Sequence, residues 1–338
     1  SSIVSFEELP TPSALIDLDR LEHNAKRMAE KALRLGVRLR PHVKTHKCIE
    51  VARIQTDLHF GGVTVSTLAE AQAFAAGGFN DITYAVPIAP QKIASAADLH
   101  TEIGNLNLLV DHPDTLRAIE EVAASRAIRL PVLLEIDCGG GRSGIDPASD
   151  IAQVLVRRLA DSEDIEFRGL LTHAGHAYRA GSRTEVYEIA SHERDLMTAF
   201  AAEIRDLGID LAEVSIGSTP TLRAIDDLSG VTEVRPGNYA FFDASQVAIG
   251  SCDLDDVAYS VLATVISVDS EHGRAIVDAG ALALSVDPGP VHIEPEYGFG
   301  QPVTIEDQHR LPGLRMAGLT QAVSYTHLRA HETNESIS

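Results

Sequence analysis

The sequence predicts an α/β fold: a (β/α)8 TIM-type barrel followed by a smaller all-β domain. Two patterns carry this expectation. Short strand-like runs recur at 37–40, 62–66, 81–85, 106–110, 131–137, 167–172, 212–216 and 231–235, with helical patterns between most of them. Eight strands alternating with helices imply a parallel sheet, and eight is the number that closes into a barrel. Beyond residue 240 the pattern changes, and 257–268, 275–278 and 282–286 are β-rich. An open doubly wound sheet is the alternative. The run Gly139, Gly140, Gly141 gives it no dinucleotide-binding fingerprint, because 142–147 reads as a turn and not as the start of a helix.

Taken in order, 14–18 is an apolar strand, and residues 1–18 are expected to join the β domain. Residues 19–35 read as an amphipathic helix closed by Gly36. The barrel is expected over 19–243, with further helices at 68–76, 113–125, 150–159 and 185–207. An incomplete β domain is expected over 244–321, with Glu271, His272 and Gly273 as a hairpin turn. Residues 322–338 look like a non-native, unfolded tail resembling translated adaptor sequence.

Bulk properties narrow the class. With 338 residues, 44% apolar and 23% charged, the chain is long enough for a large core and reads as globular. A formal charge of −21 argues against nucleic acid or an anionic membrane, since phosphate contacts need surplus Lys and Arg. Three cysteines, Cys48, Cys138 and Cys252, make neither a disulfide framework nor a metal finger, which favours a reducing compartment. No stretch has signal-peptide or membrane-span character. A cytoplasmic enzyme acting on a small molecule is the expectation.

Only five lysines occur, and two of them fall in Arg40-Pro41-His42-Val43-Lys44-Thr45-His46-Lys47. Desolvation and neighbouring cations lower a lysine pKa, and the free amine can then form a Schiff base. Arg40, His42, His46 and Lys47 are the candidate cations. A basic turn that binds an anion or faces water is the other reading, and the octapeptide alone does not choose. In a barrel, chemistry collects where strands end at the C-terminal face. Lys44 follows the first strand and Ser66 closes the second. The stretch 137–143 follows the fifth, and His173 with His176 and Tyr178 follows the sixth. Gly217, Ser218 and Thr219 follow the seventh; Arg235, Gly237, Asn238 and Tyr239 follow the eighth. Small and hydroxyl residues after strands seven and eight suit a phosphate. A Schiff-base lysine facing a phosphate cradle points to pyridoxal phosphate.

Several stretches resemble one family. They are 11–17, Arg40 to Lys47, Glu135-Ile136-Asp137-Cys138-Gly139-Gly140-Gly141-Arg142-Ser143-Gly144, 169–173, Ser215-Ile216-Gly217-Ser218-Thr219-Pro220, 235–239 and 277–280. The chain resembles the alanine racemase-type barrels that also serve D-threonine aldolases and D-serine dehydratases, with the motifs around Lys44 and Gly217 distinctive of those lyases. The resemblance implies Lys44 as the coenzyme-bearing lysine, with Lys47 the weaker choice. It places Arg142 at the phenolic oxygen, and Ser66 and His173 along the ring. Gly217, Ser218, Thr219, Gly237, Asn238 and Tyr239 fall at the phosphate, and Arg235 or Tyr178 at the pyridine nitrogen. It further implies a homodimer and a lyase for D-3-hydroxy amino acids. An amino acid racemase and a non-catalytic coenzyme carrier remain as alternatives. A divalent metal, Mn or Zn, is also implied, but the final region has no His-x-Cys or His-x-Asp pair to hold it. His327 and His331 are the nearest histidines, and loss of metal dependence is the expectation.

Overall fold

The computed structural model describes residues 5–295, 297–305, 311 and 314–328. The chain divides into two compact units, Glu22–Ala240 and Ser1–Leu21 with Phe241–Ser338.

Two short elements open the chain: strand β1 (Ser13–Ile16) and helix α1 (Leu18–Arg34). Gly36 stops α1, because the left-handed φ of +69° it adopts is strained for any residue with a Cβ. The first barrel strand, β2 (Arg38–Leu39), then leads through α2 (Ile49–Thr56) to β3 (Val63–Val65). Strand and helix alternate from there: α3 (Leu68–Ala76), β4 (Asp81–Pro87), α4 (Ile93–Ile103), β5 (Asn105–Val110), α5 (Pro113–Arg126), β6 (Leu130–Glu135) and α6 (Asp150–Asp161). The unit continues through β7 (Ile165–Leu171), α7 (Arg183–Asp206), β8 (Glu213–Ile216), α8 (Thr219–Ala224) and β9 (Glu233–Val234). Side-chain caps set the helix starts: Thr67, Ser149 and Ser182 accept the N–H of Glu70, Ala152 and Glu185.

The eight strands pair in parallel in the order β2-β9-β8-β7-β6-β5-β4-β3. A parallel bridge between His42 and Thr64, with the Thr64 N–H donating to Pro41 O at 2.8 Å, joins the two ends of that order. The open doubly wound alternative is thereby excluded. All eight strand runs read from the sequence are strands, displaced by at most two residues at their ends.

The barrel interior is unusually polar at its N-terminal end. Arg40 has no solvent exposure, and its Nε donates to Glu233 Oε2 at 2.8 Å. The same guanidinium forks onto Asp81, at 2.8 and 3.1 Å. Asp81 lies on β4, two strands from Arg40 across β3, so the side chain reaches it through the barrel. Glu233 Oε1 accepts from the Ser215 hydroxyl at 2.7 Å, and Ser215 Oγ in turn accepts from Arg235 Nη1 at 2.6 Å. A column of Asp81, Arg40, Glu233, Ser215 and Arg235 thus runs up the inside. Arg38 and Arg168 both reach the buried Glu213, at 3.3 and 2.9 Å. Phe60 covers Arg38 and Arg40, with guanidinium carbons 5.3 and 5.0 Å from its ring centre.

In the other unit β1 pairs antiparallel with β10 (Tyr259–Leu262), after a short helix α9 (Ala244–Ala248). A four-stranded antiparallel sheet has the order β11-β12-β14-β13, from β11 (Val265–Asp269), β12 (Arg274–Val277), β13 (Leu314–Leu319) and β14 (Ser324–Leu328). The turn at Glu271, His272 and Gly273 links β11 to β12. Two expectations are corrected. Residues 282–286 form turns and not a strand. The segment 324–328, expected to be unfolded, is an inner strand pairing with both β12 and β13. His331 lies outside the described residues.

Removing one partner of a buried ion pair strands the other charge. Arg40→Ala is therefore expected to cost about 3–5 kcal/mol, because Asp81 loses its counter-charge and Glu233 keeps only the longer contact to Arg38, at 3.5 Å. Urea unfolding measures it, and a loss under about 1 kcal/mol would show that water relaxes into the column.

Candidate active site

At the C-terminal end of the barrel, a cavity of about 60 Å³ is lined by His42, Lys44, Ser66, Ala85, Val86, Glu135, Arg142, Leu171, His173 and Arg235. Five residues expected from the sequence meet here: Lys44, Ser66, Arg142, His173 and Arg235. Lys44 sits on a 3₁₀ turn, Val43–Thr45, whose N-cap is His42; its Nδ1 accepts the Lys44 N–H at 3.4 Å. The His42 Nε2 faces Ser66 Oγ at 3.3 Å.

Lys44 opens onto the cavity, yet protein surrounds most of it. Its pKa is lowered from the ordinary value, first by burial and then by the charges of Arg142 and Arg235, against an opposing pull from Glu70. The identity of the neighbouring cations corrects the sequence reading. Arg40 is spent on Glu233 and Asp81 inside the barrel. His42 and His46 are held neutral, their pKa values lowered by burial. Lys47 is 64% exposed and pairs with Glu70 at 3.3 Å, so the better-placed amine is that of Lys44.

His173 is neutral too: burial, then Lys44, Arg235 and Arg142, bring its pKa to about 3. Arg235 is fully engaged at two of its nitrogens, donating to Ser215 Oγ and the Thr172 carbonyl. Arg142 rides on a loop wound around one carboxylate. Asp137 Oδ1 accepts the N–H groups of Gly139, Gly140 and Gly141 at 2.9, 2.9 and 3.2 Å. Gly144 lets the loop return to β6, since a Cβ there would stand 2.7 Å from the Asp137 nitrogen.

The loops after β8 and β9 meet each other and the lysine turn. The Tyr239 N–H donates to Thr219 Oγ1 at 3.1 Å. A Cβ on Gly237 would lie 2.5 Å from the His42 carbonyl oxygen, so this loop rests directly on the turn that carries Lys44. Gly217 has a φ of +99°, and Ser218 caps α8. Asn238 is half-buried in the same loop. Two expected contacts look elsewhere. Tyr239 offers its backbone here while its phenol lies beside Gln55, and burial pushes its pKa up. Tyr178, on the 3₁₀ segment Gly175–Arg179, does not line the cavity.

Glu135 was not singled out from the sequence. It is 3% exposed, its Oε1 accepts from Ser143 Oγ at 3.0 Å, and its Oε2 is buried without a partner. Burial, opposed chiefly by Ser143, raises its pKa to about 7. The available signal was a carboxylate ending the otherwise apolar strand β6. An amine of lowered pKa, a neutral imidazole, two guanidinium groups, glycine loops that at Gly144 and Gly237 leave no room for a Cβ, and an orphaned carboxyl oxygen suit an anionic, ring-bearing aldehyde. Pyridoxal phosphate fits these residues.

Comparison with known proteins decides the family. The model for the alanine racemase N-terminal domain matches residues 16–245, and that for a putative serine dehydratase domain matches 258–335. The D-threo-3-hydroxyaspartate dehydratase of Delftia sp. (strain HT23) is 40% identical over 93% of this chain and 82% of its own. The chain belongs to the D-serine dehydratase and D-threonine aldolase family. A D-serine dehydratase of Dictyostelium discoideum is 37% identical over 85% of this chain and 77% of its own. Among solved structures, a variant D-threo-3-hydroxyaspartate dehydratase in the metal-free form superposes with a TM-score of 0.93 at 39% identity, covering 97% and 86% of the two chains. In this member of the family, the lysine turn and the glycine loops meet at one end of the barrel.

Glu135 generates a pH prediction. Its folded pKa of about 7 lies above the ordinary 4.5, so the folded state holds the extra proton between those values. The contribution of Glu135 to stability therefore falls as pH rises through that window and is flat above it, a loss of up to about 3 kcal/mol. Glu135→Gln is expected to flatten that slope in urea unfolding at pH 5, 6, 7 and 8. An unchanged slope would assign the titration to another group.

Proposed function

We propose that this chain is a pyridoxal phosphate-dependent lyase acting on D-configured 3-hydroxy amino acids, with elimination of water as its leading reaction. The observation that carries the reading is the Lys44 amine, lowered in pKa by burial and by Arg142 and Arg235, in a cavity walled by His173 and backed by the glycine loops. The similarity to two proteins named as dehydratases, at 40% and 37% identity, supports water loss over carbon–carbon cleavage.

When bound, the coenzyme supplies an electron sink for charge developing at the substrate α-carbon. The protein's own residues do the rest. Lys44 Nζ would attach the coenzyme, and the same amine, its pKa lowered by burial and by Arg142 and Arg235, would be placed to accept the α-proton. His173, neutral, would pack against the ring without adding charge. Arg142 would serve the phenolic oxygen. Arg235, held by Ser215 and Thr172, would offer a fixed positive charge to the ring nitrogen. The loops of Gly217, Ser218 and Thr219 and of Gly237, Asn238 and Tyr239 would receive the phosphate. Ser66, tied to His42, lines the remaining wall. A homodimer is proposed on the family resemblance.

The metal stands differently. Among the described residues no group of three or more His, Cys, Asp or Glu is placed to hold a metal ion. His327 contributes backbone to β14. No residue described here is assigned to a metal.

Three measurements test the reading. Reconstituted protein should absorb in the visible and lose that band in Lys44→Ala but not Lys47→Ala; a pyridoxyl label surviving borohydride in Lys44→Ala would move the attachment to Lys47. Incubation with D-serine and D-threo-3-hydroxyaspartate should release ammonia and a 2-oxo acid. Glycine plus an aldehyde from D-threonine would make it an aldolase, L-alanine from D-alanine a racemase, and no product a carrier. Added Mn²⁺ or Zn²⁺ is expected to leave turnover unchanged, and metal-stimulated turnover lost in His327→Ala would locate ligands in the final segment.

A further inference from the structure

Glu193 lies on the apolar stripe of α7, in step with Val186, Ala190, Met197, Phe200 and Ile204, all buried. A carboxylate there is costly unless its oxygens are matched. It is 1% exposed and does not line the active-site cavity. Its Oε1 accepts two backbone N–H groups, from Ala174 at 3.0 Å and from Gly217 at 3.1 Å. Ala174 directly follows His173 at the end of β7. Gly217 opens the glycine and hydroxyl loop after β8. The His173 ring also interacts with the Gly217 backbone. One oxygen atom therefore fixes the distance between the wall of the cavity and the loop that caps α8. Its other oxygen, Oε2, has no hydrogen-bond partner, so the pair of N–H groups is its principal anchor.

We propose that Glu193 is a positioning residue for the coenzyme: it joins the His173 and Gly217 loops so that ring and phosphate are gripped in a single frame. This rests on the pyridoxal phosphate reading above. The mechanism is geometric. Two N–H groups deprived of their common acceptor must turn toward other partners, and Gly217, with no side chain to restrict its backbone, is the freer of the two to move. The phosphate side should loosen first.

The test compares binding of pyridoxal phosphate with binding of pyridoxal, which lacks the phosphate, by equilibrium dialysis of the apoprotein. Glu193→Met removes the acceptor at similar volume and should weaken pyridoxal phosphate about tenfold or more while changing pyridoxal much less. Glu193→Gln retains a carbonyl oxygen for both N–H groups and should stay close to the parent. Glu193→Asp, one methylene shorter, should fall between them, and it is read in place of Glu193→Met if that variant does not fold by circular dichroism. Equal losses for the two ligands would reduce Glu193 to a general structural role, and unchanged binding of pyridoxal phosphate in Met and Asp variants would overturn the proposal. A parent protein that binds neither ligand would instead refute the coenzyme reading itself.

Discussion

The ion pair between Arg40 and Glu233 is the constraint on which the barrel is built. Arg40 directly follows β2 and Glu233 opens β9, and these two strands share a ladder of only two residue pairs. Three backbone hydrogen bonds hold that join, from the N–H groups of Arg38, Arg40 and His42 to the carbonyls of Thr232, Val234 and Pro236. The guanidinium supplements it with charge-assisted bonds to Glu233 and to Asp81 on β4, and the desolvated pair is satisfied at several atoms. Glu233 hands the same connectivity upward through Ser215 to Arg235, which forms part of the cavity wall. The closure of the barrel and the placement of a cavity cation are thus one network.

That arrangement also helps explain how an acidic protein lowers the pKa of one lysine, a shift that burial leads and the local charges reinforce. A net charge of −21 would by itself favour the ammonium form. The local field is the reverse. Arg142 and Arg235 stand nearby, both histidines that touch the cavity are neutral, and the one carboxyl in its wall, Glu135, has its pKa raised to about 7. Distance decides: the bulk of the acidic residues is screened by solvent, whereas the two guanidinium groups act across little water.

Much of this was legible in the sequence, and the reasons differ by residue. Strand runs such as 131–137 and 106–110 are continuous and apolar because both faces of a parallel barrel strand are buried, which makes their positions plain. Lys44, Arg142, His173 and Gly217 were readable because each terminates such a run. The cations around Lys44 were misassigned because sequence neighbours were taken for spatial ones: Arg40 lies four residues away and points down the barrel, while Arg142 and Arg235 arrive from other strands. Glu193 was hidden in a helix with no motif, and its stripe of apolar neighbours marks it only once its side of α7 is known to be buried. Residues 282–286 misled because Leu282, Ala283, Leu284 and Val286 alternate with little polar relief, yet Leu282 is 79% and Val286 68% exposed.

The pairing of β1 with β10 has a temporal side. Their partners, such as Ser13 with Leu262, are separated by nearly the length of the chain. During synthesis at about 5–20 residues per second, β1 emerges roughly 10–50 seconds before its partner exists. For that interval its backbone edge is open to any other nascent strand. The four-stranded sheet waits longer still, because β14, an inner strand of it, is the last of its members to be made. A ribosome that stalls between residues 262 and 324 would therefore hold a chain whose first strand is paired and whose small sheet lacks a middle, the form most exposed to aggregation and to proteolysis.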